Sequence, residues 1–342
     1  MGIRFSILIP VYNVEDYVRV CLQSILDQTY QDFEIIIIDD GSTDQSGQIC
    51  DDYVSDTIKV YHQKNCGLLA TRRKAIQYAK GDYCLFVDSD DVIDKNTLEI
   101  LNDTILRFQS DLVIFNRLLF TRKDFTDKII LKPVFENNKQ FIGEGKKELY
   151  WNFLTTGDLN NLVIKCVRTD IIKSDKTNYA DYNYLTLGED RFQSFHLIDQ
   201  ACSIIYLSDP LYYYRQNDNS MTHKIDNSRI DTFYKIMDKT LVDCCLKYSK
   251  KWGFTSEIEK YAIFNGLFIR KMDSFNFVWD RCDPSSKKQW ICKDWASTFS
   301  DEMLIDFYKK RLDIPLKQYI QIYCMLKHKY YLRRLIDIFK KK

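Results

Sequence analysis

No apolar run in this chain of 342 residues reaches the roughly 20 residues that a membrane-spanning helix requires. Charge of one sign is also missing. A net charge of +1 excludes a nucleic-acid binder that depends on overall basicity. Internal repeats and low-complexity tracts are absent. The 11 cysteines are odd in number, scattered, and never spaced as Cys-x-x-Cys. Cys244 and Cys245 are adjacent, which suits neither a simple bridge nor a zinc site. No signal peptide is visible at Met1-Gly2-Ile3-Arg4, so a reduced cytosolic protein is expected, soluble or peripheral to a membrane.

What is present is enough sequence to bury a sizeable core as one large domain or two modest ones. Aromatics are plentiful, with 23 Tyr and 21 Phe, a content typical of folded cores and carbohydrate-stacking surfaces rather than disorder. One stretch organises the rest: Tyr83-Cys84-Leu85-Phe86-Val87-Asp88-Ser89-Asp90-Asp91. Its apolar half suits a strand buried on both faces. Its acids belong just past the strand's C-terminal end, where open α/β sheets bind ligands. If the backbone stays extended, Asp88 and Asp90 point the same way and suit a hard divalent cation such as Mg²⁺ or Mn²⁺. An acidic turn capping a helix from Asp94 to about Phe108 explains the same residues without a ligand.

Upstream, Phe5 to Ile9 reads as a strand stopped at Pro10, which has no N–H for a ladder. A helix follows from Val14 to about Gln28, with Val18, Leu22, Ile25 and Leu26 at helical spacing. Phe33 to Ile38 is a second buried strand, ending in Asp39-Asp40-Gly41-Ser42. A helix to about Val54, a strand over Ile58 to Tyr61 and a helix from Gly67 to Ala79 complete the alternation. This pattern predicts an α/β fold with a doubly wound, mostly parallel sheet. Right-handed crossovers place every strand's C-terminal end on one rim, so Tyr12, Asp39, Asp40 and Asp88 to Asp91 converge there.

After a strand over Asp111 to Phe115 the pattern loosens. Residues 116–143 suggest short antiparallel strands, Gly145 to Thr155 a helix, Leu162 to Val167 a strand and Thr169 to Lys173 a helical turn. Glu189 and Asp190 lead into a helix to about Ile198, and Ser203 to Leu207 and Leu211 to Tyr214 read as two strands. From about Ile225 Gly and Pro become rare and the periodicity turns helical. The expected organisation is therefore a domain over residues 1–224 and a helical region over 225–342. Leu316 to Lys342 mixes aromatics with many Lys and Arg. Such a helix suits an anionic membrane surface, a core-packing helix with a solvated basic face, or a dimer interface, and all three stay open.

Ser6-Ile7-Leu8-Ile9-Pro10-Val11-Tyr12-Asn13, Ser24 to Tyr30 and Ile38-Asp39-Asp40-Gly41-Ser42-Thr43-Asp44 together resemble the family 2 glycosyltransferases. These are inverting, GT-A-fold enzymes of bacterial capsule, exopolysaccharide and teichoic-acid assembly. Gly81-Asp82-Tyr83, Asp88 to Asp91 and Gly188-Glu189-Asp190 extend the resemblance to about residues 4 to 215. It implies that Pro10 and Tyr12 flank a nucleotide base, that Asp40 bonds the base's ring N–H, and that Arg72 lies near the diphosphate. Asp88, Ser89 and Asp90 would form the Asp-x-Asp motif that meets the donor and its Mn²⁺ or Mg²⁺, with Asp90 favoured as the direct ligand. Asp190 matches the family's catalytic base. His223 has two readings, a diphosphate or metal contact or a structural histidine.

One motif departs from the family: Leu69, Arg73 and Ala75 stand where Ser, Asn and Gly are usual, which puts donor identity in question. The resemblance implies transfer from a nucleotide sugar, UDP-linked with dTDP the alternative, to a growing, lipid-linked glycan at the inner face of the cell membrane. A nucleotidyltransferase would want a Gly-rich basic loop after the first strand, which is missing. A glycoside hydrolase needs no base-binding rim. A catalytically degenerate scaffold remains the non-enzymatic alternative, although the acids at 40, 88, 90 and 190 are all in place.

Overall fold

The computed structural model describes residues 2–122, 126–182, 185, 188–216, 230–260, 262–263 and 266–267, with the backbone alone over 230–239. Four strands open the chain: β1 (Phe5–Val11), β2 (Phe33–Asp39), β3 (Ile58–His62) and β4 (Tyr83–Phe86). They are joined by the helices α1 (Val18–Leu26), α2 (Ser46–Asp51) and α3 (Leu68–Tyr78). The four strands pair in parallel in the order β3-β2-β1-β4. Every residue of β1 and β2 is buried, as expected of Ile-rich strands covered on both faces.

The chain steps from β1 outward to β3, then crosses back to β4 on the far side of β1. With right-handed crossovers, α1 and α2 take one face of the sheet and α3 the other. The strand order therefore reverses between β1 and β4, which is where an open α/β sheet leaves a crevice at its C-terminal rim. Pro10 lies inside β1, not after it. Its register partner is Ile38, and the ladder with β2 runs on to Val11 and Asp39. The missing N–H points instead toward β4, whose pairing with β1 ends at Leu8 and Phe86. Proline thus stops one ladder and spares the other.

The remaining elements are β5 (Val92–Ile93), α4 (Thr97–Phe108), β6 (Leu112–Phe120), β7 (Ile129–Ile130), β8 (Lys139–Ile142), α5 (Lys146–Thr155), β9 (Lys165–Arg168), α6 (Thr169–Lys173), α7 (Glu189–Gln200), β10 (Ser203–Arg215) and α8 (Ile230–Lys251). Among the described residues the strands form one mixed sheet, ordered β3-β2-β1-β4-β9-β6-β10-β5, with β7 on β6 and β8 on β10. The expected strand over Leu162 to Val167 is shorter and later. Leu162–Ile164 is a turn of 3₁₀ helix, and the strand begins at Lys165. The two strands expected over 203–214 are one, because Asp209 and Pro210 make an irregularity in the β6 pairing without ending it.

β9 is antiparallel to both neighbours, β4 and β6. It therefore starts at the rim where those strands finish, with Cys166 opposite Leu85 and Lys165 opposite Ile114. That reversal brings residues 158–164 to the crevice. The chain divides into two compact units, one of Met1–His223 and Asp243–Phe268, the other of Lys224–Val242 and Ile269–Lys342. In the first unit the end of α8 packs on α5 and α7. Trp252 stacks on Tyr150 at 4.0 Å between centroids and donates its indole N–H to Asp199 at 3.0 Å. The basic segment over 316–342 lies outside the described residues, as does His223. Among the described residues, no helix is long and apolar enough to cross a membrane.

The turn into β4 depends on close backbone approach. Gly81 donates its N–H to Ser6 Oγ at 2.8 Å, and a Cβ there would lie 2.7 Å from Arg4 O and 2.8 Å from Ser6 N. Both obstacles are backbone of the central strand and cannot swing aside. Gly81→Ala is expected to destabilise the fold by about 1–3 kcal/mol, read as a lower midpoint in chemical denaturation. An unchanged midpoint would show that the turn relaxes.

Candidate functional site

The crevice between β1 and β4 is lined from both sides by residues singled out in the sequence. Pro10 is buried in β1, whereas Tyr12 just beyond it is 45% exposed, which leaves its ring face available for stacking. Across β1, the end of β2 supplies two buried acids with different partners. Asp39 accepts the Ser42 N–H at 3.0 Å and meets His62 Nδ1 at 2.8 Å. His62 also reaches Asp51 at 3.0 Å, and these two hydrogen bonds hold its pKa above the usual value. Asp40 accepts from Gln63 Nε2 at 2.7 Å and from the N–H groups of Cys66 and Gly67, each at 2.9 Å. Its carboxylate therefore secures the loop that opens α3, at the helix end where negative charge is favourable.

On the β4 side the backbone does not stay extended. The strand ends at Phe86, and the Asp91 N–H donates to Asp88 O at 3.0 Å to close a turn over Asp88-Ser89-Asp90-Asp91. Asp88 and Asp90 therefore meet the crevice from a turn rather than from one face of a strand. Ser89 is buried at the turn's centre. Asp91 is buried beneath it and accepts from Tyr212 Oη and the Arg215 N–H, each at 2.7 Å. Burial, followed by the Asp90 and Asp88 charges, pushes its carboxyl well above the usual range. Tyr212 Oη in turn accepts the Asp88 N–H at 3.1 Å, and Arg215 Nε donates to Asp90 O at 2.7 Å. Two residues of β10 thus fix the acidic turn, and sequence reasoning had assigned neither of them a role.

Arg72 is at the centre of the site. Its side chain is 1% exposed, yet it meets three carboxylates. NH2 donates to Asp88 Oδ1 at 2.7 Å, NH1 pairs with Asp190 Oδ1, and Glu189 Oε1 is 3.8 Å from NH1. Burial alone would lower the arginine's pKa, but Asp190, Asp88 and Glu189 together outweigh it and the net shift is upward. Asp190 opens α7, and its second oxygen accepts the Leu162 N–H at 3.1 Å. Burial, then the adjacent Asp190 charge, pushes the Glu189 carboxyl above its ordinary range, with Arg72 opposing. Tyr214, also in β10, is pushed up by burial and then by Asp91, Asp88, Asp90 and Asp190 in that order.

Of the sequence-predicted residues, Asp88 and Asp190 are thus joined through Arg72, while Asp40 reaches the same place by anchoring the start of α3. Arg73 does something else. Its guanidinium lies over the Tyr179 ring at 4.4 Å and 3.9 Å from Asp175, and Tyr179 Oη donates to Asp175 at 2.6 Å. It clamps the loop before α7 instead of facing a ligand. Among the described residues no group of three or more His, Cys, Asp or Glu is arranged to hold a metal ion.

The family model of glycosyl transferase family 2 matches residues 6–164. The glycosyltransferase GlyG of Streptococcus pneumoniae is 30% identical over 262 residues, covering 72% of this chain and 82% of that protein. The glycosyltransferase GlyA of the same organism is 31% identical over 64% of this chain, which spans 31% of GlyA's length. The crystal structure of Staphylococcus aureus TarS residues 1–349 in complex with UDP-GlcNAc superposes with a TM-score of 0.61 at 23% identity, covering 90% of this chain and 81% of that one. The likeness to TarS shows the fold, a GT-A-like sheet.

Because three carboxylates face one buried guanidinium, its removal leaves them mutually repelling. Arg72→Met is expected to destabilise the fold by about 3–5 kcal/mol, measured by denaturant unfolding. The loss should shrink when Asp190→Asn is added, since one uncompensated charge then disappears. Strict additivity of the two substitutions would argue that the pair is not coupled.

Proposed function

The chain belongs to glycosyl transferase family 2, and on that premise we propose that it is an inverting transferase. It moves a sugar from a UDP-linked donor to a hydroxyl of a cell-surface glycan. The observation that carries this reading is the Arg72 bridge. One guanidinium ties the turn that meets the donor, through Asp88, to the candidate base Asp190. The two ends of an in-line displacement are thereby held a fixed distance apart.

Asp190 acts as the general base. Arg72 and the Leu162 N–H each use one lone pair of its two oxygens, and a carboxylate has others free to take the acceptor's proton. The proton leaves the attacking hydroxyl opposite the departing diphosphate, which gives inversion: a β-type linkage from an α-donor. Tyr12 stacks on the base, and the Asp40 carboxylate, which also secures the start of α3, selects its uracil edge. TarS, which shares the fold, binds UDP-GlcNAc.

The chemistry of the donor set fits Mn²⁺ or Mg²⁺. Asp88 and Asp90 offer hard oxygen ligands and would hold the ion, and with no group of three or more protein ligands among the described residues, diphosphate oxygens and water would have to supply the rest. Such an ion, when bound, neutralises charge on the leaving diphosphate. A lipid-linked acceptor and a location at the inner face of the membrane are supported by the basic, aromatic composition of residues 316–342.

Two measurements test the proposal. Melting the protein with UDP, dTDP, GDP or CMP, each with Mn²⁺ and with EDTA, should give a stabilising shift with UDP that depends on the metal. No shift with any nucleotide would favour a degenerate scaffold instead. Asp190→Asn should abolish transfer while leaving nucleotide binding close to wild type, because the asparagine oxygen still accepts from Leu162. Wild-type turnover in that variant would remove Asp190 from the base's role.

A further inference from the structure

Lys165 is fully buried at the start of β9, and among the described residues no carboxylate is in contact with it. Burying an ammonium is costly unless it is hydrogen-bonded. Here two of its three donors go to backbone carbonyls, Leu159 O at 2.6 Å and Asn161 O at 2.5 Å. Both carbonyls lie just before Leu162, and that of Asn161 shares a peptide unit with the Leu162 N–H, which donates to Asp190 Oδ2 at 3.1 Å. The same segment is held from α7, where Ser194 Oγ lies 2.7 Å from Asp190 O and 3.2 Å from Asn160 O. Arg191 donates to Phe153 O and Leu154 O at 3.0 Å each, fixing the chain just before it. Burial draws the Lys165 ammonium down to about 7, with the Asp190 charge opposing.

We propose that Lys165 is a positioning residue for the base: by gripping the carbonyls of Leu159 and Asn161 it fixes the Leu162 N–H against Asp190, opposite Arg72. With a donor on each oxygen, the carboxylate has one orientation, and its remaining lone pairs face the acceptor. A loop free to move would leave Asp190 held from one side and able to rotate about its Cβ. This inference rests on the base role proposed for Asp190.

Two substitutions separate the clamp from general stability. Lys165→Met keeps the side chain's length and removes its donors. Leu162→Pro removes the N–H itself at the first residue of a 3₁₀ turn, where proline is tolerated. The preceding Asn161 already has φ −60° and ψ 132°, as a residue before proline prefers. Leu162→Ala serves as control, because it loses more side chain but keeps the N–H.

The readouts are UDP release from UDP-GlcNAc, UDP-glucose or UDP-galactose with Mn²⁺, and amide exchange at Leu162. Lys165→Met and Leu162→Pro should lower kcat by about 10- to 100-fold with donor KM nearly unchanged, and Leu162→Ala should lie much nearer wild type. Exchange at Leu162 should quicken in Lys165→Met. Wild-type kcat and wild-type exchange in Lys165→Met would overturn the clamp while leaving the base assignment intact. If the wild-type chain releases UDP from none of the three donors, the donor reading fails instead, and exchange at Leu162 alone decides the clamp.

Discussion

A guanidinium taken out of water is the constraint on which this site depends. Removing an ion from water costs several kcal/mol even after relaxation, so Arg72 is tenable in the interior only while Asp88, Asp190 and Glu189 surround it. The dependence is mutual, since three acids crowded together would otherwise repel or take up protons. Arg72 owes its place to α3, and α3 starts where Asp40 gathers the Cys66 and Gly67 N–H groups. The ends of β2 and β4 and the start of α7 are therefore set by one connected set of charges. A disturbance at any of them reaches the others through Arg72.

The second determinant is a strand that runs the wrong way. If β9 were parallel to β4, its first residue would lie at the far end of the sheet and the chain before it would be remote from the crevice. Because β9 is antiparallel, Leu159 to Ile164 pass directly beneath Asp190. A purely parallel doubly wound sheet would provide only the rim formed by β1, β2 and β4. The side that carries Asp190 requires the reversal, and the acidic turn after β4 is held by Tyr212 and Arg215 of the long β10.

Much of the rim formed by β1, β2 and β4 was legible in the sequence, for a physical reason. Strand–helix alternation with right-handed crossovers has few solutions, so acids written just after apolar runs must gather on one rim. What escaped was set by contacts between distant segments. The turn over Asp88 to Asp91 depends on Tyr212 and Arg215, 124 and 125 residues away along the chain from the groups they hold. The Leu162 N–H that meets Asp190 has no side-chain signature at all. Lys165 interrupts an otherwise apolar run, Leu162-Val163-Ile164-Lys165-Cys166-Val167. A cation facing a strand's interior was the one available signal that a buried acceptor lay nearby.

The departures from the usual family pattern over 67–75 gain a physical meaning from the same geometry. Successive helix residues point about 100° apart, so Arg72 and Arg73 cannot serve one site. Arg72 faces the acids, while Arg73 holds Asp175 and Tyr179 in the loop ahead of α7. Leu69 and Ala75 are both buried in the core. The three altered positions therefore govern how α3 seats against the sheet and against the loop before α7. They act on the side of the crevice where α7 presents Asp190 to Arg72.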